Sequence, residues 1–189
     1  MAVDDSDAEI VDQLRELLSK REDLLFPGAM TFSEEVADLS VEVALQWTNG
    51  VTEHICSYAN DSPTRQGGMH VEGFSKALTE VVKTYASSGG LSDSTTVSLL
   101  GGDIREGLTA IIRTRCDDPW VEPIHDDGIN GRKLGTVKMR EFVYWATAKH
   151  LSAWLDEHPT EAAMIVKRSI SAARDRVLAR AQWDRERGT

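Results

Sequence analysis

The 189-residue chain has little of what staples, anchors or exports a protein. Its two cysteines, Cys56 and Cys116, stand alone, with no Cys-x-x-Cys and no histidine at metal-ligand spacing. A disulfide framework and a structural zinc site are therefore not expected, and both cysteines are read as ordinary reduced thiols. No apolar run approaches the ~18 residues that a membrane span needs. The start, Met1-Ala2-Val3-Asp4-Asp5, is acidic where a signal peptide is basic and then apolar. These absences lead to the expectation of a soluble, cytoplasmic chain with no membrane partner and no metal. The length is that of one domain able to bury a core of its own.

Positive charge is also scarce. The formal net charge is −10, which argues against nucleic-acid affinity, since that affinity comes largely from neutralising phosphates. The charge is uneven, however. Residues 1–45 hold three basic and twelve acidic side chains, whereas residues 161–189 hold seven basic and four acidic ones. Only the C-terminal stretch is suited to face DNA, with Arg174, Arg176 and Arg180 as its candidate contacts; a solvated helix face is the competing reading. DNA binding by the chain alone is expected to be weak or nil.

The hydrophobic pattern divides the chain into elements. Ser6-Asp7-Ala8-Glu9 is a capping-box pattern, and Ile10, Val11, Leu14, Leu17 and Leu18 follow at helical spacing, which predicts a helix from about Asp7 to about Arg21. Val41, Val43, Leu45 and Trp47 alternate with Glu42 and Gln46, as in a half-buried strand. Asn49-Gly50 predicts a hairpin, with Val51 to Tyr58 as the returning strand. Asn60 to Gly68 reads as a polar loop, and Val71, Phe74, Leu78, Val81, Val82 and Tyr85 mark a second helix. Leu108 to Cys116 is β-rich and is expected to join the same sheet. Asp117 to Gly135 reads as a long loop, of the kind that is usually functional or disordered. Two helices complete the chain, one through Met139 to Trp154 that stops near Pro159 and one from Thr160 to about Arg187, roughly 40 Å long at 1.5 Å per residue. The division is 1–158 for an α/β domain and 159–189 for the long basic helix of that domain.

Several short motifs have physical readings of their own. Gly67-Gly68 lets the chain turn at positive φ and approach the next helix closely. Asp103 is placed to cap a short turn carrying Arg105 and Glu106, whose charges are expected to pair locally, as a structural device rather than a catalytic dyad. His70, beside Glu72, reads as a helix-start residue rather than a base, because no nucleophile or second acid lies at readable spacing. No catalytic residue is assigned. Asp117-Asp118 and Asp126-Asp127 read as solvated turns rather than a Mg²⁺ site.

Taken in order, Val41-Glu42-Val43-Ala44-Leu45-Gln46-Trp47, Gly67-Gly68 with His70-Val71-Glu72-Gly73-Phe74, Asp103-Ile104-Arg105-Glu106-Gly107-Leu108, Lys133-Leu134-Gly135 and Ala172-Ala173-Arg174 resemble the transducer domain of the bacterial DNA gyrase B and topoisomerase IV B subunits, over about 180 residues. The resemblance implies an α+β fold of the ribosomal-protein-S5-like kind, a mixed sheet with helices packed on it and a long C-terminal helix. It also implies a domain that relays nucleotide state between an ATP site and a DNA gate. In the family a Gln-Thr-Lys motif shortly before a Lys-Leu pair carries a lysine to the γ-phosphate of ATP. Anchored on Lys133-Leu134, its positions fall on Ile129, Asn130 and Gly131, so the lysine is missing; Arg132 and Lys133 are the remnant of that contact. Ser75 stands where family members often have an arginine facing DNA.

The resemblance places an ATP-binding domain before this one and a Mg²⁺-binding cleavage domain after it. Residues 1–40 are too short for the first, and the chain ends at Thr189 before the second. The expectation is thus a stand-alone domain, non-catalytic alone, with ATP and Mg²⁺ reached only through partner domains and with gyrase or topoisomerase subunits as partners. One chain of a split type IIA topoisomerase and a module that modulates cellular gyrase are the alternatives, and self-association through an exposed Trp183 is left open.

Overall fold

The computed structural model describes residues 5–19, 23–89, 97–117, 119, 121–126 and 129–188, without the side chains of 5–8 and 121–133. The elements run α1 (Asp5–Ser19), β1 (Met30–Val36), β2 (Leu39–Trp47), β3 (His54–Ala59), β4 (Ser62–Pro63), α2 (Met69–Ser88), α3 (Gly101–Arg105), β5 (Leu108–Cys116), β6 (Val121–Asp126), β7 (Ile129–Leu134), α4 (Val137–Glu157) and α5 (Pro159–Arg187). The Ser6 side chain of the expected capping box and the helix end near Arg21 lie outside the described residues, as do residues 90–96 between α2 and α3.

One five-stranded mixed sheet, in the order β1-β2-β5-β3-β4, carries the fold. The expected α+β class is what is found, long C-terminal helix included. One face of the sheet presents Val43 and Leu45 of β2 and Leu108 and Ile112 of β5 to Phe74 and Leu78 of α2, Met139 and Val143 of α4, and Ile165 and Val166 of α5. On the opposite face Ile10 and Leu14 of α1 cover Ala44 and Ile111. β2 is thus buried on both faces, not half-buried. Gln46 is 1% exposed, and its amide donates to the Phe26 carbonyl at 2.5 Å. At the outer edge, Glu34 of β1 accepts from Lys149 Nζ and His150 Nε2 of α4, both at 2.7 Å. These bonds, Lys149's first, hold the Glu34 carboxyl below the ordinary carboxylate range.

Two expectations are corrected. Asn49-Gly50 does not turn a hairpin. The Asn49 N–H donates to the Asp23 carbonyl at 2.9 Å, and the Gly50 N–H donates to Thr48 Oγ1 at 3.2 Å. The groups a tight turn would use are engaged elsewhere, and β5 enters between β2 and β3, antiparallel to the former and parallel to the latter. The hairpins of the five-stranded sheet are instead β1–β2, around Ala37-Asp38 with Ala37 at φ 54°, and β3–β4, where Asn60 and Asp61 both take positive φ. Second, the long loop expected at 117–135 contains a two-stranded ladder, β6 on β7, with Val121 opposite Leu134 and Asp126 opposite Ile129. Neither strand is rich in β-branched residues, so this sequence carried no alternating signal to announce it.

Candidate functional site: the junction at the root of the long helix

Gly107 begins the junction. It sits at φ +75°, and a Cβ there would meet the carbonyl oxygens of Thr48 and Gly50 at 2.6 Å. Glycine is therefore required twice over, by the backbone angle and by the close approach. Through that approach the Thr48 N–H donates to the Gly107 carbonyl at 2.9 Å, and Thr48 Oγ1 donates to it at 3.1 Å. Next to it Trp47, 1% exposed, donates its Nε1–H to the Ile104 carbonyl at 2.9 Å. The end of β2 and the start of β5 are thus joined through the backbone of α3.

Asp103 completes the junction. Its Oδ2 accepts from the Leu100 N–H at 2.7 Å, closing the N-terminal turn of α3. The same carboxylate takes a two-pronged contact from α5, Arg176 Nε to Oδ1 at 2.8 Å and Arg176 Nη2 to Oδ2 at 3.0 Å. Arg176 Nη2 also donates to the Ser98 carbonyl at 2.9 Å. Asp103 strengthens the hold of Arg176 on its proton. Two turns earlier on α5, Arg168 donates to the Gly50 carbonyl and, at 3.3 Å, to Glu106 Oε1. Arg105 pairs with Glu53 at 2.8 Å. The local Arg105–Glu106 pair expected from the sequence is therefore not formed; each side chain reaches a separate element because the turn points them apart. The capping role of Asp103 is found as expected, but its pairing with α5, 73 residues away, had no local signal.

A second buried cluster lies where two glycine-bearing motifs meet. A Cβ on Gly68, at φ +137°, would run into the Leu134 carbonyl oxygen, and the Leu134 N–H donates to the Gly67 carbonyl at 3.2 Å. Gly67-Gly68 and Lys133-Leu134-Gly135 are thus one contact that seats the root of β7 on the start of α2. Gly73 repeats the device, since its Cβ would run into the Arg140 carbonyl oxygen of α4. Beneath the turn, His70 is fully buried, with Nε2 3.1 Å from Thr64 Oγ1, which lies 2.8 Å from Ser57 Oγ. Its Nδ1 has no hydrogen-bond partner among the described residues, and burial pushes its pKa down to about 4. A neutral imidazole locked in a helix start is a packing residue, as the sequence suggested.

Of the candidate site residues, Arg132 and Lys133 lie on β7 opposite Pro123 and Glu122; their side chains are outside the described set. Ile129, Asn130 and Gly131 lie on the same strand. Arg174 and Arg180 are exposed on α5, whereas Arg176 is engaged by Asp103. Asp118 and Asp127 fall outside the described residues. Among the described residues no three His, Cys, Asp or Glu side chains converge as a metal-binding group, and no helix is long and apolar enough to cross a membrane.

Fold and junction define an α+β domain whose buried polar contacts fasten a long projecting helix to a mixed sheet. The family model for DNA gyrase B matches residues 9–185, and the chain belongs to that family. It is 41% identical to the DNA gyrase B protein of Streptomyces coelicolor over 177 residues, which are 93% of this chain and 25% of that protein. To the Mycobacterium tuberculosis gyrase B protein it is 34% identical over 163 residues, 86% of this chain and 23% of the relative. The chain spans about a quarter of the length of these curated relatives. Among solved structures it is similar to the 43K ATPase domain of Thermus thermophilus gyrase B, determined with an aminocoumarin, at TM-score 0.82 and 26% identity over 94% of this chain and 46% of that one. The topoisomerase IV ATP-binding domain of Francisella tularensis shares the fold at TM-score 0.69, over 81% of this chain and 41% of that one, at 23% identity.

Proposed function

We propose that the chain is the transducer part of a gyrase B-type topoisomerase subunit, a mechanical relay that supplies no catalytic group of its own. The observation that carries this reading is the root of α5. Arg168 and Arg176 tie that helix to the segment joining β2 and β5, so a displacement of the sheet's end is delivered to a rigid helix of 29 residues. Hydrogen-bond and ion-pair networks of this kind are one carrier of coupling between two elements. ATP and Mg²⁺ enter only through partner domains, and gyrase or topoisomerase subunits are the partners. Arg132 and Lys133 on β7 are the candidate contacts toward a nucleotide held by a partner domain, in place of the lysine that Gly131 replaces. Arg174 and Arg180 are the residues left to face DNA, with weak affinity expected because the chain's net charge is −10.

The test adds the purified chain to gyrase A protein and a gyrase B lacking the corresponding segment, and follows ATP-dependent supercoiling of relaxed plasmid. Restored supercoiling upholds the relay. No restoration from a chain shown folded by circular dichroism overturns it, and ATP hydrolysis by the chain alone overturns its non-catalytic character.

A further inference from the structure

From Arg174 to Gly188 every residue of α5 and its cap is exposed, whereas the first half of the helix buries one face, from Ala162 to Ala173. Arg176 is fastened to Asp103, but the stretch buries no apolar face within its own chain, so tertiary packing, the main source of helical stability, adds little to it. The stretch is not uniformly polar, either. Val177 is 45% and Leu178 59% exposed. At 100° per residue Arg174, Val177, Leu178, Ala181 and Arg185 fall at i, i+3, i+4, i+7 and i+11, one narrow face with an apolar centre and an arginine at each end.

A surface of opposite character lies on the same molecule. Between α2 and α4 runs a half-open groove of about 360 Å³ bordered by Glu80, Val81, Tyr85, Tyr144, Leu155 and Asp156. Val81, Tyr85 and Leu155 give it an apolar floor, and Glu80 and Asp156 give it negative charge. It extends to the C-terminal turns of both helices, neither of which carries a basic residue in its last turn. The negative ends of two helix dipoles therefore add to the two carboxylates. Tyr144 donates to Glu80 at 2.5 Å, and Lys76 approaches Glu80 only to 4.0 Å.

We propose that this groove receives the Arg174–Val177–Leu178–Arg185 face of α5 from a second copy of the chain. Charge complementarity selects the occupant, a basic, apolar-centred helix for an acidic, apolar-floored groove. The contact is between copies because α5 is one continuous helix, about 43 Å long at 1.5 Å per residue, and its exposed stretch runs on beyond Ala173, the last residue that it buries against its own chain. Reciprocal exchange of the two faces is the arrangement that closes into a dimer.

Sedimentation velocity over a concentration series, at low and high salt, tests this. The expected result is a dimer at low salt that weakens as salt rises and shortens the Debye length from about 30 Å toward 3 Å. Glu80→Lys with Asp156→Lys is expected to weaken the dimer at least tenfold, as is Arg174→Glu with Arg185→Glu. An equimolar mixture of the two double variants should recover a heterodimer, while circular dichroism shows each folded. A monomer at all concentrations overturns the proposal, as does a dimer indifferent to both charge reversals. Recovery of neither affinity nor heterodimer on mixing overturns the pairing of these two faces, as does dimerisation that requires an added polyamine to fill the groove.

Discussion

Asp103 and Arg176 meet through two parallel hydrogen bonds of 2.8 and 3.0 Å, and the same carboxylate caps the helix that holds it. One side chain thus performs two tasks that different substitutions separate. Asp103→Ala removes the cap and the α5 contact together, leaving the partly buried Leu100 N–H and the Arg176 guanidinium without this acceptor. It is expected to cost about 1–3 kcal/mol, or several degrees in the thermal midpoint of a domain this size. Arg176→Lys leaves the cap but forfeits the fork, because an ammonium does not reproduce two parallel donors. Denaturant melts should show Asp103→Ala clearly less stable than Arg176→Lys; equal losses would mean that the cap contributes nothing.

The glycines make sharply different predictions. Gly73→Ala drives a methyl into the Arg140 backbone and forces α2 and α4 apart, at a cost of roughly 1–3 kcal/mol or more for overpacking. Gly68→Ala and Gly107→Ala add a strained positive φ to a backbone clash and should be worse. Gly102, inside α3 with nothing within 4 Å of its Cβ position, is the contrast. Gly102→Ala is expected to stabilise by about 0.4–1 kcal/mol. Comparison of the four midpoints in urea checks the order.

His70 predicts a pH dependence. Its folded pKa of about 4 lies below the ordinary 6.5, so the unfolded chain binds the proton more readily. Stability from keeping the ring neutral is fully present above pH 6.5 and is lost as pH falls toward 4, by on the order of 3 kcal/mol. Glu34, also depressed, adds its own loss only below the ordinary glutamate range near 4.5. Replacing His70 with Gln should flatten the urea midpoint between pH 6.5 and 4.5 relative to the parent chain. Parallel curves for the two would show that another group titrates there.

Trp47→Phe isolates the indole hydrogen bond to Ile104. It keeps most of the apolar bulk but leaves a buried carbonyl unpartnered, so a loss of about 1–3 kcal/mol is expected. Loosening of α3 should appear as faster amide exchange there; unchanged exchange would place the hydrogen bond outside the junction's stability.

Elements with a strong local period were legible in the sequence. Leu108–Cys116 is found with the expected bounds, and α2, α4 and α5 lie where Phe74, Phe142 and Ile165 repeat at helical spacing. What escaped was decided by distant partners. Asn49-Gly50 is a strong turn signal, but Asp23 and Thr48 take its N–H groups. β1, Met30–Val36, had no legible signal because Ser33, Glu34 and Glu35 break its apolar pattern; Lys149 and His150 of α4 supply the partners that satisfy Glu34. The glycine motifs were recognisable as backbone devices, yet only the fold shows that Gly68 meets Leu134 and Gly107 meets Thr48. Pairing across such separations leaves no trace in local periodicity.

The insertion of β5 between β2 and β3 also constrains how the chain is made. A nascent chain that has reached Gly107 has already produced β2 and β3, yet the strand that pairs with both does not exist until Cys116 has been added. During that interval the two unpaired inner edges, bearing Val43, Leu45 and Ile55, are open to pairing with other chains. Residues 1–45 precede the central strand and carry nine net negative charges, and like charge of that sign opposes association between such chains.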